Sequence, residues 1–281
     1  MQCSTGSATA RQLTTGDNRI LFKHFLDPNK IQAALANLKK ELESHAVKMT
    51  SENDRLTFTA NNESITFFLA GETFDFTRVK NAPVIPLDYL LNGPKKITAI
   101  VLSKLSLNTK IFARLCEVKK TDKKTAEAFF ETWHLMGATQ SAYNLGLFYD
   151  SELVAAASFS KGRKMDRLPG DKRSFELIRF CCKSGITVTG GLTKLLKAFF
   201  IEKSAGDIMS YVDKQLSDGR SFISAGFKDY GETPPNYFLV NKATHERTLL
   251  KDEDLSFDKK QFYLAQNSGN IKLVYKPHEK L

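Results

Sequence analysis

Two short apolar runs, Tyr143-Asn-Leu-Gly-Leu-Phe-Tyr149 and Leu153-Val-Ala-Ala-Ala-Ser-Phe159, flank Asp150-Ser-Glu, and this arrangement constrains the chain more than any other feature. Runs of that length with so short a polar link fold back on each other as an antiparallel hairpin. A third strand, Phe175-Glu-Leu-Ile-Arg-Phe-Cys181, follows a basic loop at 161–173 that contains glycine and proline. Gly190-Gly191 then opens a helix over 192–202, with Leu192, Leu195, Leu196 and Phe199 along one face. A strand at 207–212, a short helix at 219–225 and a last strand at 236–240 complete the series. With a helix at 121–133 before the hairpin, the order predicts an α/β domain over 110–241, a mixed sheet flanked by helices.

The first part of the chain has a different character. Residues 1–17 are polar and small, and read as a disordered arm without the apolar core of a signal peptide. A small α+β domain is expected over 18–105. Its first helix spans 28–48, with Asp27 as N-cap, Pro28 in the first turn, and Ile31, Leu35, Leu38 and Leu42 at helical spacing. Alternating segments at 55–60, 64–69 and 73–77, divided by Asn61-Asn62 and Gly71, predict a β-meander. A further helix is expected at 94–105, after Gly93-Pro94. Residues 242–281 form a charged extension, of which Phe257, Phe262-Tyr263 and 271–275 are expected to pack.

With 281 residues there is room for two domains. The formal charge of +10 attracts polyanions, and DNA is the expected partner. Cys3, Cys116, Cys181 and Cys182 have neither zinc-site spacing nor the density of a disulfide framework. No apolar run approaches the ~20 residues of a membrane span. A soluble, cytoplasmic protein is the expectation.

The order of segments resembles the GNAT fold of acyltransferases. Their wording adds a second resemblance. Lys110-Ile-Phe-Ala-Arg-Leu-Cys-Glu-Val118, Phe130-Glu-Thr-Trp-His-Leu-Met-Gly137, Glu176-Leu-Ile-Arg-Phe-Cys181, Gly190-Gly-Leu-Thr-Lys-Leu195, Ser210-Tyr-Val-Asp213, Ala225-Gly-Phe-Lys228 and Pro235-Asn-Tyr-Phe238 occur in that order. This string is similar to the C-terminal domain of Hef-type phage homing endonucleases and their stand-alone relatives. It resembles more distantly Mom, the phage enzyme that modifies adenine in DNA. The resemblance implies a phage or bacterial origin and a nucleic-acid context. That family often carries an N-terminal nuclease. Glu72, Asp75 and Lys80 are the nearest approach to its metal site here, and they read better as a solvated strand edge, so no nuclease activity is expected.

Two readings attach to each marked residue. In the GNAT fold the turn at Gly190-Gly191 presents backbone N–H groups to the pyrophosphate of acetyl-CoA or another acyl-CoA, with Thr193 and Lys194 in the first helical turn beside it. A plain tight turn explains Ile186-Thr-Val-Thr-Gly-Gly191 equally well. Asp213 ends a strand, where α/β sites open, with Tyr211 on the same face, and is a base, a ligand, an orienting carboxylate or simply a turn residue. Arg179 lies inside an apolar strand and needs a partner or a cleft. Glu176, three residues away, is expected on the opposite face, which leaves Asp213 as the candidate partner. The resemblance to Mom implies a cleft histidine near the start of the domain. His134 fills that place, and its ordinary pKa suits proton transfer; the alternative is a structural histidine. Asn236 and Tyr237 either close the site on a substrate or only begin a strand. Cys181 and Cys182 read as inert packing. Lys161, Arg163, Lys164, Arg167, Lys172 and Arg173 crowd one loop, suited to phosphate contacts or merely solvated.

Three functions follow. The first is a GNAT-like transferase modifying a nucleobase in DNA, adenine by resemblance. The second is a non-catalytic DNA-binding module. The third is an acetyl-CoA-dependent N-acetyltransferase acting on a small molecule or protein. No metal set is assigned; His134 and Asp213 would need a third donor.

Overall fold

The computed structural model describes residues 27–71, 74, 76, 79, 82–250 and 257–277. The expected arm at 1–17, Cys3, most of the third meander strand and the trio Glu72, Asp75 and Lys80 lie outside the described residues.

The first unit opens with α1 (Pro28–Glu43), capped as the sequence suggests, with Asp27 accepting a hydrogen bond from the Asn29 N–H at 2.9 Å. Expected to run to residue 48, the helix instead stops at Glu43. Ala46 takes a left-handed conformation, φ 57°, and turns the chain into β1 (Lys48–Glu52). Then come β2 (Arg55–Ala60) and β3 (Glu63–Ala70), joined by Asn61-Asn62 with φ of 50° and 63°. Two consecutive left-handed residues are what a two-residue hairpin turn requires, and asparagine tolerates them. β4 (Val84–Pro86) runs parallel to β3 and leads into α2 (Leu87–Asn92) and α3 (Pro94–Lys104). The sheet order is β1-β2-β3-β4. Leu38, Leu42, Phe58, Phe67, Ile97 and Val101 are among its core residues.

In the second unit, β5 (Thr109–Phe112) is followed by β6 (Glu117–Lys120), α4 (Lys123–Trp133), β7 (Tyr143–Tyr149) and β8 (Glu152–Phe159). The expected hairpin is present: Tyr149 pairs with Glu152 across Asp150 and Ser151, both at positive φ. β9 (Arg163–Lys164), β10 (Arg173–Cys182), β11 (Ile186–Thr189), α5 (Gly191–Lys203), β12 (Asp207–Asp213) and α6 (Arg220–Ser224) follow. The chain ends in β13 (Phe227–Thr233), β14 (Tyr237–Asn241), β15 (Arg247–Leu249), β16 (Phe262–Gln266) and β17 (Asn270–Tyr275).

The main sheet has the order β6-β7-β8-β10-β12-β17-β13. Its one parallel junction, β10 with β12, holds for three residue pairs, from Ser174–Asp207 to Glu176–Met209. Beyond them β10 continues to Cys182 and β12 to Asp213 without a shared ladder, so the sheet splits. Beside the split, β10 bulges against β8 between Leu177 and Arg179. This strand order, the split parallel junction and the helix that crosses between its strands make the fold GNAT-like. The chain is an α/β protein with that mixed sheet preceded by the smaller α+β unit.

The sheet does not close as the sequence suggests. The strand expected at 236–240 leaves it, and β14 pairs with β15 and β16 in a separate sheet. Pro234 and Pro235 lack N–H donors and cannot extend the β13 ladder. The place inside the sheet goes to β17, between β12 and β13, which brings Leu273 and Tyr275 into the core. The charged extension therefore supplies a central strand.

Candidate functional site

The bulge in β10 decides which side chains share the site. Phe175 and Leu177 pack toward α5, and past the bulge Phe180 and Cys182 do so as well, while Cys181 packs with α4. Strict alternation would have put Arg179 with Phe175. The extra residue, Ile178, shifts the phase instead and sets Arg179 on the same face as Glu176. This corrects the expectation that the two point apart. On β12, Ile208 and Val212 join the α5 core, so Met209, Tyr211 and Asp213 face the Glu176 side.

Arg179 does not pair with Asp213. Its Nε donates to the Gly137 carbonyl at 3.2 Å and its Nη1 to the Ile178 carbonyl at 3.0 Å. Asp213 is held separately: one carboxylate oxygen accepts from the Gln215 N–H at 2.9 Å, the other from Asn267 Nδ2 at 3.1 Å. Burial raises its pKa, against those two hydrogen bonds and the charge of Arg247. Both oxygens are occupied, so Asp213 organises the end of β12. Asn267 also accepts from the Asn236 N–H at 2.8 Å, which ties that predicted residue to Asp213 through its backbone. Tyr237 is exposed on β14, and Tyr211 is exposed on the face of β12 that carries Asp213.

His134 does not keep the near-neutral pKa expected of it. Burial, then the charges of Arg179 and Lys96, lower its pKa to about 3. Its Nδ1 accepts the Met136 N–H at 3.2 Å, which leaves the ring proton on Nε2. His134 is thus a neutral donor beside Arg179, a poor proton acceptor. Glu176, which sequence reasoning passed over, is the better base. It is half-buried, burial raises its pKa, and Arg163 and Arg179 act against that rise. Burial also raises the thiol pKa values of Cys181 and Cys182, in keeping with inert packing.

A cavity of about 540 Å³ lies at the far end of β10, between α3, the start of α5 and the segment that follows β12. Its lining includes the apolar Phe180, Trp133 and Leu216 and the polar or small Asn108, Thr187, Gly190, Gly191, Thr193 and Ser221. Gly190 is left-handed, φ 77°, and no side chain caps α5, so the first N–H groups of the helix are left to the cavity end. A side chain on Gly191 would meet Val188 and Leu147 at 3.1 Å. Of the residues assigned to a cofactor, Gly190, Gly191 and Thr193 meet here. Lys194 turns away and bonds the carbonyls of Ala113 and Cys116 at 2.9 and 2.5 Å.

The basic loop divides in two. Arg167 pairs with Asp207, which is fully buried, and Arg173 donates to the Gly162 carbonyl at 3.3 Å, so both are tied down. Lys161, Arg163, Lys164 and Lys172 are exposed and make no ion pair among the described residues. Among the described residues no group of three or more His, Cys, Asp or Glu is placed to hold a metal ion. No described helix is long and apolar enough to cross a membrane.

No family model matches the chain, and no curated protein matches its sequence. Its shape is similar to several solved acetyltransferases. One from Corynebacterium glutamicum, described as histone acetyltransferase HPA2 and related, is 10% identical, covering 59% of this chain and 98% of that one, with a TM-score of 0.34. A Bacillus subtilis acetyltransferase in complex with CoA is 14% identical over 57% of this chain and 98% of its own, with a TM-score of 0.34. A GNAT family acetyltransferase from Elizabethkingia anophelis with acetyl-CoA bound is 11% identical over 58% and 98%, with a TM-score of 0.31.

Proposed function

We propose that the chain is an acyl-CoA-dependent N-acyltransferase, with the donor seated between β10 and β12 and the acceptor amine on the Glu176 face. The cavity at the end of β10 carries this reading. Its lining combines an uncapped helix N-terminus, suited to a pyrophosphate, with apolar side chains suited to an acyl arm. The residues present fit the group: the N–H groups of Gly191, Leu192 and Thr193 would face its phosphates. The edge of β10 past Glu176, which has no strand partner toward β12, would face its amides. When bound, an acyl-CoA would supply a thioester carbonyl open to attack by a neutral amine, the C–N bond forming as the C–S bond breaks and CoA leaving as a thiol once its sulfur is protonated.

The chain's own residues supply the rest. The Glu176 carboxylate takes the proton from the acceptor nitrogen, and its raised pKa brings it nearer the working pH of a base. Arg179, fixed by two backbone carbonyls, holds positive charge beside that carboxylate and keeps it ionised until the amine arrives. Tyr211 offers a hydroxyl on the same face. The test is acetyl-CoA turnover with a panel of amines. Glu176→Gln is expected to lower kcat by roughly 10²–10⁴ with CoA binding retained. A chain that binds no CoA, or a Gln variant at full rate, ends this reading.

A nucleobase amine in DNA is the acceptor that the basic loop favours. Lys161, Arg163, Lys164 and Lys172 make no ion pair among the described residues, and the charge of Arg163 reaches Glu176, so the loop borders the acceptor side. The resemblance to Mom points the same way. A base inside a duplex is out of reach and would have to be flipped out or single-stranded. Mass spectrometry of nucleosides from DNA co-expressed with the chain tests this. Acylated adenine that disappears with Glu176→Gln supports it; unmodified DNA leaves small or protein amines as acceptors. Salt-sensitive DNA binding without CoA binding would instead support the non-catalytic module.

A further inference from the structure

The cavity has a wall that the acyltransferase-type sheet does not provide. That wall is α3, from the first unit. One face of α3, with Ile97, Val101 and Leu105 just beyond it, packs into its own core. Another face presents Lys96, Ala99, Ile100, Ser103 and Lys104 to the cavity, at helical spacing. The polarity changes along the helix: Lys104 and Ser103 stand toward its C-terminal end, near Asn108, and Ala99 and Ile100 form the apolar middle.

The three lysines lining the cavity are not equivalent. Lys183 pairs with Glu152, and Lys96 lies 4.0 Å from Glu131. Lys104 has no ion-pair partner among the described residues. The nearby Asp218 is engaged by Arg220, whose Nε lies 2.5 Å from it. Lys104 is exposed at the rim of the cavity, where burial lowers its pKa somewhat, Asp218 acts against that and Arg220 with it. A second group is also unmatched. Asn108 donates through Nδ2 to Thr187 at 3.2 Å, while its Oδ1 is buried with no hydrogen-bond partner among the described residues.

We propose that α3 reads the nucleotide end of the acyl donor, with Lys104 binding its phosphate. This rests on the acyl-CoA reading above. It makes the first unit part of the cofactor site, so the sheet alone would hold the donor incompletely.

Trp133, the single tryptophan of the chain, lines the cavity and reports binding directly. The full chain is titrated with CoA and with pantetheine, which has the same arm and no phosphate, following Trp133 fluorescence. Lys104→Ala is expected to weaken CoA roughly tenfold, the size of one charge-assisted contact, and to leave pantetheine unchanged. Lys104→Arg should restore most of the CoA affinity. Equal weakening of both probes, or of neither, overturns the proposal while the acyl-CoA reading stands. A wild-type chain that binds neither probe removes that reading and this proposal with it.

Discussion

Replacing Arg247 with methionine tests how the two units are held together. Arg247 on β15 grips Asp88 on α2 with two parallel hydrogen bonds, Nε to Oδ2 and Nη2 to Oδ1, each 2.7 Å. Its guanidinium also lies over the rings of Tyr89 and Phe238, at 4.5 and 4.7 Å from their centroids. The side chains of Arg247 and Asp88 are only 6% and 2% exposed. At an effective dielectric of ~20 and a charge separation of ~4 Å the attraction is on the order of 4 kcal/mol, before the desolvation both groups have already undergone. Methionine keeps much of the volume and strands the Asp88 carboxylate in a dry site. Arg247→Met should therefore destabilise by about 3–5 kcal/mol. The double variant Asp88→Leu with Arg247→Met should recover most of that loss, because no charge is left unpaired. Urea unfolding followed by Trp133 fluorescence and by circular dichroism measures both. A single variant within about 1 kcal/mol of the parent would show the pair to be a surface-grade contact, and the argument from burial would fail.

Two further predictions concern the site. His134 has a folded pKa of about 3 against 6.5 for the free side chain. Above pH 6.5 it is neutral in both states and its contribution is complete; as pH falls toward 3 the unfolded chain takes up the proton first and stability drops. The slope is about 1 kcal/mol per pH unit between pH 6 and 4; it should be missing from the curve of His134→Gln and so appear in the difference between parent and variant, and parallel curves would contradict the buried neutral ring. Gly190→Ala forces an alanine into φ 77° and should destabilise by roughly 1–2 kcal/mol and weaken CoA; an unchanged affinity would remove the turn from the donor site.

Local signals were readable in the sequence, and non-local ones were not. Asn61-Asn62, the Asp150-Ser151 turn and the Asp27 cap each follow from a residue's own backbone preference, and all three formed as expected. The leucine spacing of α5 was equally plain. β1 was missed because Met49 is its only buried residue, so no alternation marks it. β17 was read as part of a tail because its partners, β12 and β13, lie far away in sequence and nothing local announces the pairing. The bulge at Ile178 is the most consequential omission. A single extra residue leaves composition and spacing untouched, yet it moves Arg179 to the Glu176 face and dissolves the expected pair with Asp213. Glu176 was overlooked for the same reason. The lysine wall of α3 was hidden because it depends on how two units meet.

The central claim is that the donor sits in the split between β10 and β12. Hydrogen–deuterium exchange with and without CoA tests it most directly. Protection is expected at the amides of 178–182 and 191–193, and at Asn108, with the β14–β16 sheet unaffected. Protection confined to other surfaces, or none at saturating CoA, would contradict it.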